Sequence, residues 1–229
     1  LLAAIAAAAV LLFPHLLADQ PEPKAGCSGR RRGGMFGHLA LWALGLLSFL
    51  TMMSEGGIAD WSTLYVLEHS DAPPGQAPLG FAAYSALMIL ARLTGDRMVM
   101  RLGPRAVVRL SGGLVALGMA LALSSGAFAA QLAGFAVTGF GIANLIPVIF
   151  SGAARLPGLP RGAGITFVSV AGYSGFLIGP VLISGAAEAW GLDRALLVIV
   201  LVGVVMAGAA RRFPPGRPVP AAPETAGRA

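Results

Sequence analysis

Two carboxylates stand inside an apolar stretch of this sequence, where charge is costly: Glu55 and Asp60, in the block from Phe36 to Leu67. At membrane depth an ionised carboxylate costs at least about 2.5 kcal/mol, so it faces a wet cavity and marks a solute pathway or a proton relay. Counting about 1.5 Å per residue from Phe36 puts Glu55 beyond the middle of the block and Asp60 near its far rim. Glu55 is therefore the candidate proton or cation site, with a structural pair or a packed, protonated acid as the competing reading. Asp60 reads first as a rim residue, and Trp61 beside it fits the interfacial aromatic belt.

Tyr84, Asn144, Tyr173 and Ser174 place hydrogen-bonding groups in the middle thirds of other apolar blocks, where a polar group needs a partner or water. Tyr84, Asn144 and Tyr173 join Glu55 as candidates to line a substrate or proton pathway; interhelical hydrogen bonding is their ordinary alternative use. Gly141, Gly172, Gly175 and Gly179, with Pro147 and Pro180, mark close packing or bends. The chemistry of an enzyme is not visible: there is no nucleophile elbow, no phosphate-binding glycine loop and no metal-ligand spacing. His15, His38 and His69 fall near block ends and look incidental. Cys27 is the single cysteine and lies in a polar connector, so neither a disulfide framework nor a Cys-based metal site can be built. No cofactor and no metal are expected. Without a nucleotide-binding loop, gradient-driven or facilitated transport is favoured over a primary pump.

The elements that must position these residues are helices in a bilayer. Of 229 residues, 56% are hydrophobic and 11% charged, with a mean hydropathy of +0.79; a soluble domain carries about a quarter charged residues. Apolar blocks run from Leu1 to Leu17, Phe36 to Leu67, Ala77 to Val99, Ala106 to Ser124, Ala127 to Ala153, Gly162 to Ala187 and Leu192 to Ala210. The first is short for a crossing. Each of the others meets the roughly 20 residues that a 30 Å hydrocarbon layer demands. The expected fold is all-α: a six-helix transmembrane bundle over 36–210, preceded by a partial transmembrane helix at 1–17 and a central cytoplasmic loop at 18–35, and followed by a disordered cytoplasmic tail at 211–229. The abrupt start suggests that the chain begins partway into a helix.

The net charge of +6 does not point to nucleic acid, because the basic residues sit in short connectors rather than on one face or arm. They report sidedness. Lys24 and Arg30 to Arg32, then Arg97, Arg101, Arg105 and Arg109, then Arg155 and Arg161, then Arg211, Arg212, Arg217 and Arg228 occupy every second connector. Those connectors are expected inside. The ones between carry Glu68, His69 and Asp71, then no charge at Ser124 to Gly126, then Glu188, Asp193 and Arg194. A miscounted helix would break this alternation.

The connector Ala91-Arg92-Leu93-Thr94-Gly95-Asp96-Arg97-Met98-Val99-Met100-Arg101-Leu102-Gly103-Pro104-Arg105 resembles the signature loop that major facilitator transporters carry between helices 2 and 3 and again between 8 and 9. It departs from the usual form at Ala91, where a Gly is common, and in a shorter Gly-to-Asp spacing. Gly95, Asp96, Arg97 and Arg101 then read as a conformational latch, with Asp96 capping a helix start or pairing with Arg97 or Arg101 at the cytoplasmic rim. Counted from that anchor, the six full blocks resemble helices 7 to 12. The stretch Glu55-Gly56-Gly57-Ile58-Ala59-Asp60-Trp61 resembles a bacterial subgroup near the fucose-permease-like transporters. The resemblance implies a secondary transporter of the inner membrane moving a small-molecule substrate by alternating access, with a cytoplasmic C-terminus and a site completed by a missing N-terminal six-helix half. The alternative is a non-transporting membrane fragment or assembly subunit; an intramembrane enzyme would need convergent polar pairs, and none is apparent.

Overall fold

The computed structural model describes residues 39–160 and 162–210. The expected partial helix at 1–17, the loop at 18–35 and the tail at 211–229 lie outside the described residues, as do Cys27, His15 and His38. Among the described residues all regular structure is helical: α1 (Leu39–His69), a 3-10 turn (Pro74–Gln76), α2 (Leu79–Leu123), α3 (Phe128–Ile142), α4 (Leu145–Ala154), α5 (Ala163–Trp190) and α6 (Leu192–Ala209). Five stretches are long and apolar enough to cross a membrane, and one of them, Pro74–Leu123, holds 50 residues.

That stretch is where the structure departs from the expected pair of helices joined by a loop. Helix runs on through 100–102 and resumes at 104, and Gly103 alone leaves helical geometry, at φ 78° and ψ 157°. Proline disfavours helical geometry in the residue before it yet suits the first turn of a new helix. Pro104 therefore ends one arm and starts the next, and Gly103 takes a backbone conformation that other residues resist. The arms run in opposite directions. Gly80, Tyr84 and Gly95 lie against Phe135, Gly139 and Asn144 in rising order, whereas Ser111 lies against Gly141 and Gly118 against Gly134 and Thr138 in falling order. With the two arms of α2 counted separately, the described residues make six crossings.

A second departure is the block from Ala127 to Ala153, expected as one helix and interrupted at Ala143 and Asn144. Pro147 accounts for the break, since its ring would collide with the carbonyl of residue 143 and it has no N–H to donate there. Elsewhere small residues decide which helices touch. α1 and α5 lie side by side and parallel, Gly172 against Ser48, Gly175 against the Phe49 carbonyl and Gly179 against Met53. The second arm of α2 meets α6 at Gly112 and Gly203.

The buried apolar residues fall into two clusters. One gathers Ile58, Tyr84, Phe135, Ile142, Ile183 and Ile199. The other gathers Leu47, Met53, Val107, Leu145, Val168 and Val202. Arg97, Arg101, Arg105 and Arg155 belong to the end beyond the second cluster; Glu68, His69, Asp71, Glu188 and Asp193 belong to the end beyond the first.

Candidate functional site

Between the two apolar clusters lies a level that carries several polar side chains. Along α1 the clusters stop at Met53 and resume at Ile58, and Glu55 lies in the interval. The same gap holds Ser111 on the second arm of α2, between Val108 and Val115, Asn144 between Ile142 and Leu145, and Tyr173 between Val168 and Ile183. On the first arm of α2 it holds Arg92, between Met88 and Met98, which pack on the first and second cluster respectively. By helix rise Glu55 stands about 24 Å from Leu39 and about 21 Å from His69, close to the middle of α1.

Glu55 opens onto a groove of about 290 Å³ between α1, α4 and α5, whose walls include Ser48, Met52, Ile146, Phe150, Tyr173 and Phe176. The walls are mostly apolar. Ser48 Oγ donates to the Val168 carbonyl at 2.8 Å, tying α1 to α5 at the groove floor. Thr51 and Ser54 donate back to the carbonyls of Leu47 and Leu50 within α1, so their hydroxyls are satisfied locally. Glu55 is different. Its Oε1 stands 3.9 Å from Arg92 Nη2, and its buried Oε2 has no hydrogen-bond partner. The carboxylate thus has one weakly held oxygen and one oxygen without a partner, near the middle of an apolar helix.

The pathway candidates fare differently. Tyr173 is 69% exposed and lines the groove with Glu55. Tyr84 is buried in the first cluster with an unpartnered hydroxyl, within electrostatic reach of Glu55 and Arg92. Asn144 does not line the groove. It is buried at the break between α3 and α4, where its side-chain nitrogen donates to the Ala91 carbonyl at 3.5 Å and its oxygen presses on Gly95. Ser174 donates to the Val170 carbonyl of its own helix at 2.7 Å.

The latch residues divide as well. Gly95 has a steric reason to be glycine, because Asn144 occupies the place of its side chain. Asp96, Arg97 and Arg101 are exposed, and among the described residues Asp96 forms no ion pair within 4 Å. Asp96 lies inside a continuous helical arm rather than at a helix start, and the helix turns residues one and five apart onto different faces, so neither the expected cap nor the expected pairings form in this structure. Asp60 is exposed. Trp61 packs against the first apolar cluster rather than standing clear of it.

Two features escaped the sequence reading. Arg92 belongs by sequence to the signature-like connector, yet it stands about 20 Å from the Leu79 end of its arm; a basic residue deep inside an apolar block is the available signal. His69, read as incidental, pairs with Asp193 at 3.1 Å and stacks on Tyr65 at 4.5 Å, while its carbonyl accepts from Gln131 at 2.9 Å. The rim beyond the first cluster is thereby tied across α1, α3 and α6.

The sequence profile of the Major Facilitator Superfamily matches residues 44–229. The membrane protein MosC of Rhizobium meliloti is 45% identical over 93% of this chain and 51% of its own length. An uncharacterized MFS-type transporter of Yersinia pestis is 33% identical over 92% of this chain and 55% of its own length. The chain thus spans about half the length of these curated relatives. Among solved structures, a peptide transporter POT in complex with alafosfalin superposes with a TM-score of 0.69 at 19% identity, covering 79% of this chain and 39% of that one. A POT family transporter in complex with 5-aminolevulinic acid gives 0.66 at 19% identity, covering 80% and 39%. At that identity the likeness concerns the fold.

Proposed function

The chain belongs to the major facilitator superfamily, and on that premise we propose that it moves a small solute by alternating access, coupled to protons through Glu55. The observation that carries the coupling is the Glu55 carboxylate itself, at mid-depth, open to the groove, with Oε1 at 3.9 Å from Arg92 and Oε2 unpartnered. A second six-helix half would face the groove and close the substrate site, consistent with the share of its relatives that this chain spans. Tyr173 is the groove residue best placed to meet a substrate, and Tyr84 stands behind Glu55 as the group closest to a relay. Asn144 acts one step removed, by setting how the α3–α4 break rests on Gly95.

The arginine-rich end belongs in the cytoplasm of an inner-membrane protein, and the C-terminus lies on that side. There Asp96, Arg97 and Arg101, unpaired with one another, are available to latch onto the facing half in one of the two access states. The Glu55-to-Trp61 stretch supports a place near the fucose-permease-like group.

Replacing Glu55 by Gln in the complete transporter tests the coupling. Accumulation driven by a pH gradient should disappear while counterflow exchange persists, because exchange needs the site but no net proton movement. Accumulation that survives with its pH dependence would make Glu55 a structural acid.

A further inference from the structure

Arg92 is as unusual as Glu55 and has less to hold it. Its guanidinium carries five N–H donors in a rigid fork, and the structure supplies one carboxylate oxygen at 3.9 Å, beyond hydrogen-bond length, and the Met88 thioether at 3.7 Å. Its side chain remains 50% exposed although that of Glu55 is only 19% exposed. A planar fork of this kind matches a carboxylate, sulfate or phosphate group through two parallel bonds. A positive group held at membrane depth is also expensive until an anion compensates it. Around the pair, the titratable or charged groups within reach are Tyr84 from α2 and Tyr173 from α5. The described parts of α4 and α6 contribute none at this level; Asp193 and Arg194 lie at the far end of α6.

Resting on the reading of this groove as the transport site, we infer that Arg92 is the substrate anchor and that the transported solute carries an anionic carboxylate or other oxyanion group. Glu55 and the anion then compete for one guanidinium. A proton arriving on Glu55 neutralises the carboxylate and frees the Arg92 fork, which takes the anion. When the proton leaves, the Glu55 carboxylate returns to Arg92 and displaces the anion. Proton and anion are thereby loaded and released together, and the Arg92 charge is compensated in both the empty and the loaded site.

The test is equilibrium dialysis of the purified complete transporter with radiolabelled sulfate and with lactate, whose charges are constant between roughly pH 5.5 and 8. The wild-type protein should bind at least one of them saturably and more tightly at the lower pH. Arg92→Gln should weaken that binding by about tenfold or more, the weight of a charge-assisted hydrogen bond, and Arg92→Lys should retain part of it. Glu55→Gln, which removes the competing charge without removing Arg92, should bind tightly at every pH. This gain of binding stays readable if Arg92→Gln fails to fold. Absence of saturable binding by the wild-type protein overturns the inference, as does equal binding by Arg92→Gln, or a pH dependence that survives Glu55→Gln. If no anion binds but Glu55→Gln still abolishes pH-driven accumulation, the proton coupling stands and the anionic substrate falls. If anions bind as described and accumulation survives Glu55→Gln, the anion site stands and the coupling falls.

Discussion

Gly203 brings the backbones of α6 and the second arm of α2 into direct contact. A Cβ on Gly203 would stand 2.5 Å from the Ala116 nitrogen and 2.8 Å from the Gly112 carbonyl oxygen. Ordinary contact begins near 3.4 Å, so the second arm of α2 and α6 must part by about 0.6 to 0.9 Å to admit one methyl group. The obstructing atoms are backbone and cannot turn aside. Over-packing of this kind costs about 1–3 kcal/mol, against about 0.5–1 kcal/mol recovered by removing a mid-helix glycine. Gly203→Ala should therefore destabilise the protein by up to about 2.5 kcal/mol. Gly208 lies on the same helix, and a Cβ there meets nothing within 4 Å, so Gly208→Ala should stabilise by the propensity gain alone. Gly208 lies in the last turn of α6, where the gain is smaller than at the interior Gly203, so the difference between the two alanine variants is a lower bound on the cost of parting the helices. Reversible unfolding in mixed micelles measures it. A difference below about 0.5 kcal/mol, or two shifts of the same sign, would refute the backbone-to-backbone seam.

At the break between α3 and α4, Gly95→Ala should cost about 1–3 kcal/mol by driving out the Asn144 carboxamide. Most of that loss should be relieved when Asn144→Ala is added; unfolding of the two single variants and the double variant would reveal strict additivity if the contact were unimportant. Ser48→Ala removes the 2.8 Å bond to the Val168 carbonyl and should lower stability by about 0.6 kcal/mol, the usual value for such bonds in membranes, in the same assay. Single cysteines at positions 71 and 126, in a Cys27→Ser background, should react with an impermeant maleimide added outside intact cells. Those at positions 103 and 158 should react only after the membrane is opened. The reverse pattern would invert the topology.

The number of crossings and the grouping of charges were legible because both are properties of the one-dimensional pattern. A bilayer sets the length of each apolar run, and the connectors record sidedness whatever the helices do between them. The two errors in element boundaries have local causes that a hydropathy average conceals. Gly103-Pro104 compresses a reversal into one non-helical residue, so that the arginines of the supposed loop lie on helix. Pro147 interrupts helix four residues upstream of itself, inside a run from Gly139 to Phe150 whose only strongly polar residue is Asn144. The polar layer was harder to see for a different reason. Glu55, Arg92, Ser111, Asn144 and Tyr173 come from separate helical segments, and their common level depends on how far each has slid along its neighbours. Glycine contacts set that sliding, as where Gly95 receives Asn144 and Gly172 receives Ser48. An acid in an apolar run can be flagged from sequence by its cost alone. Whether it meets a cation is decided by register, which is why the cost of Glu55 is legible in the sequence and its neighbour Arg92, 3.9 Å away, is not.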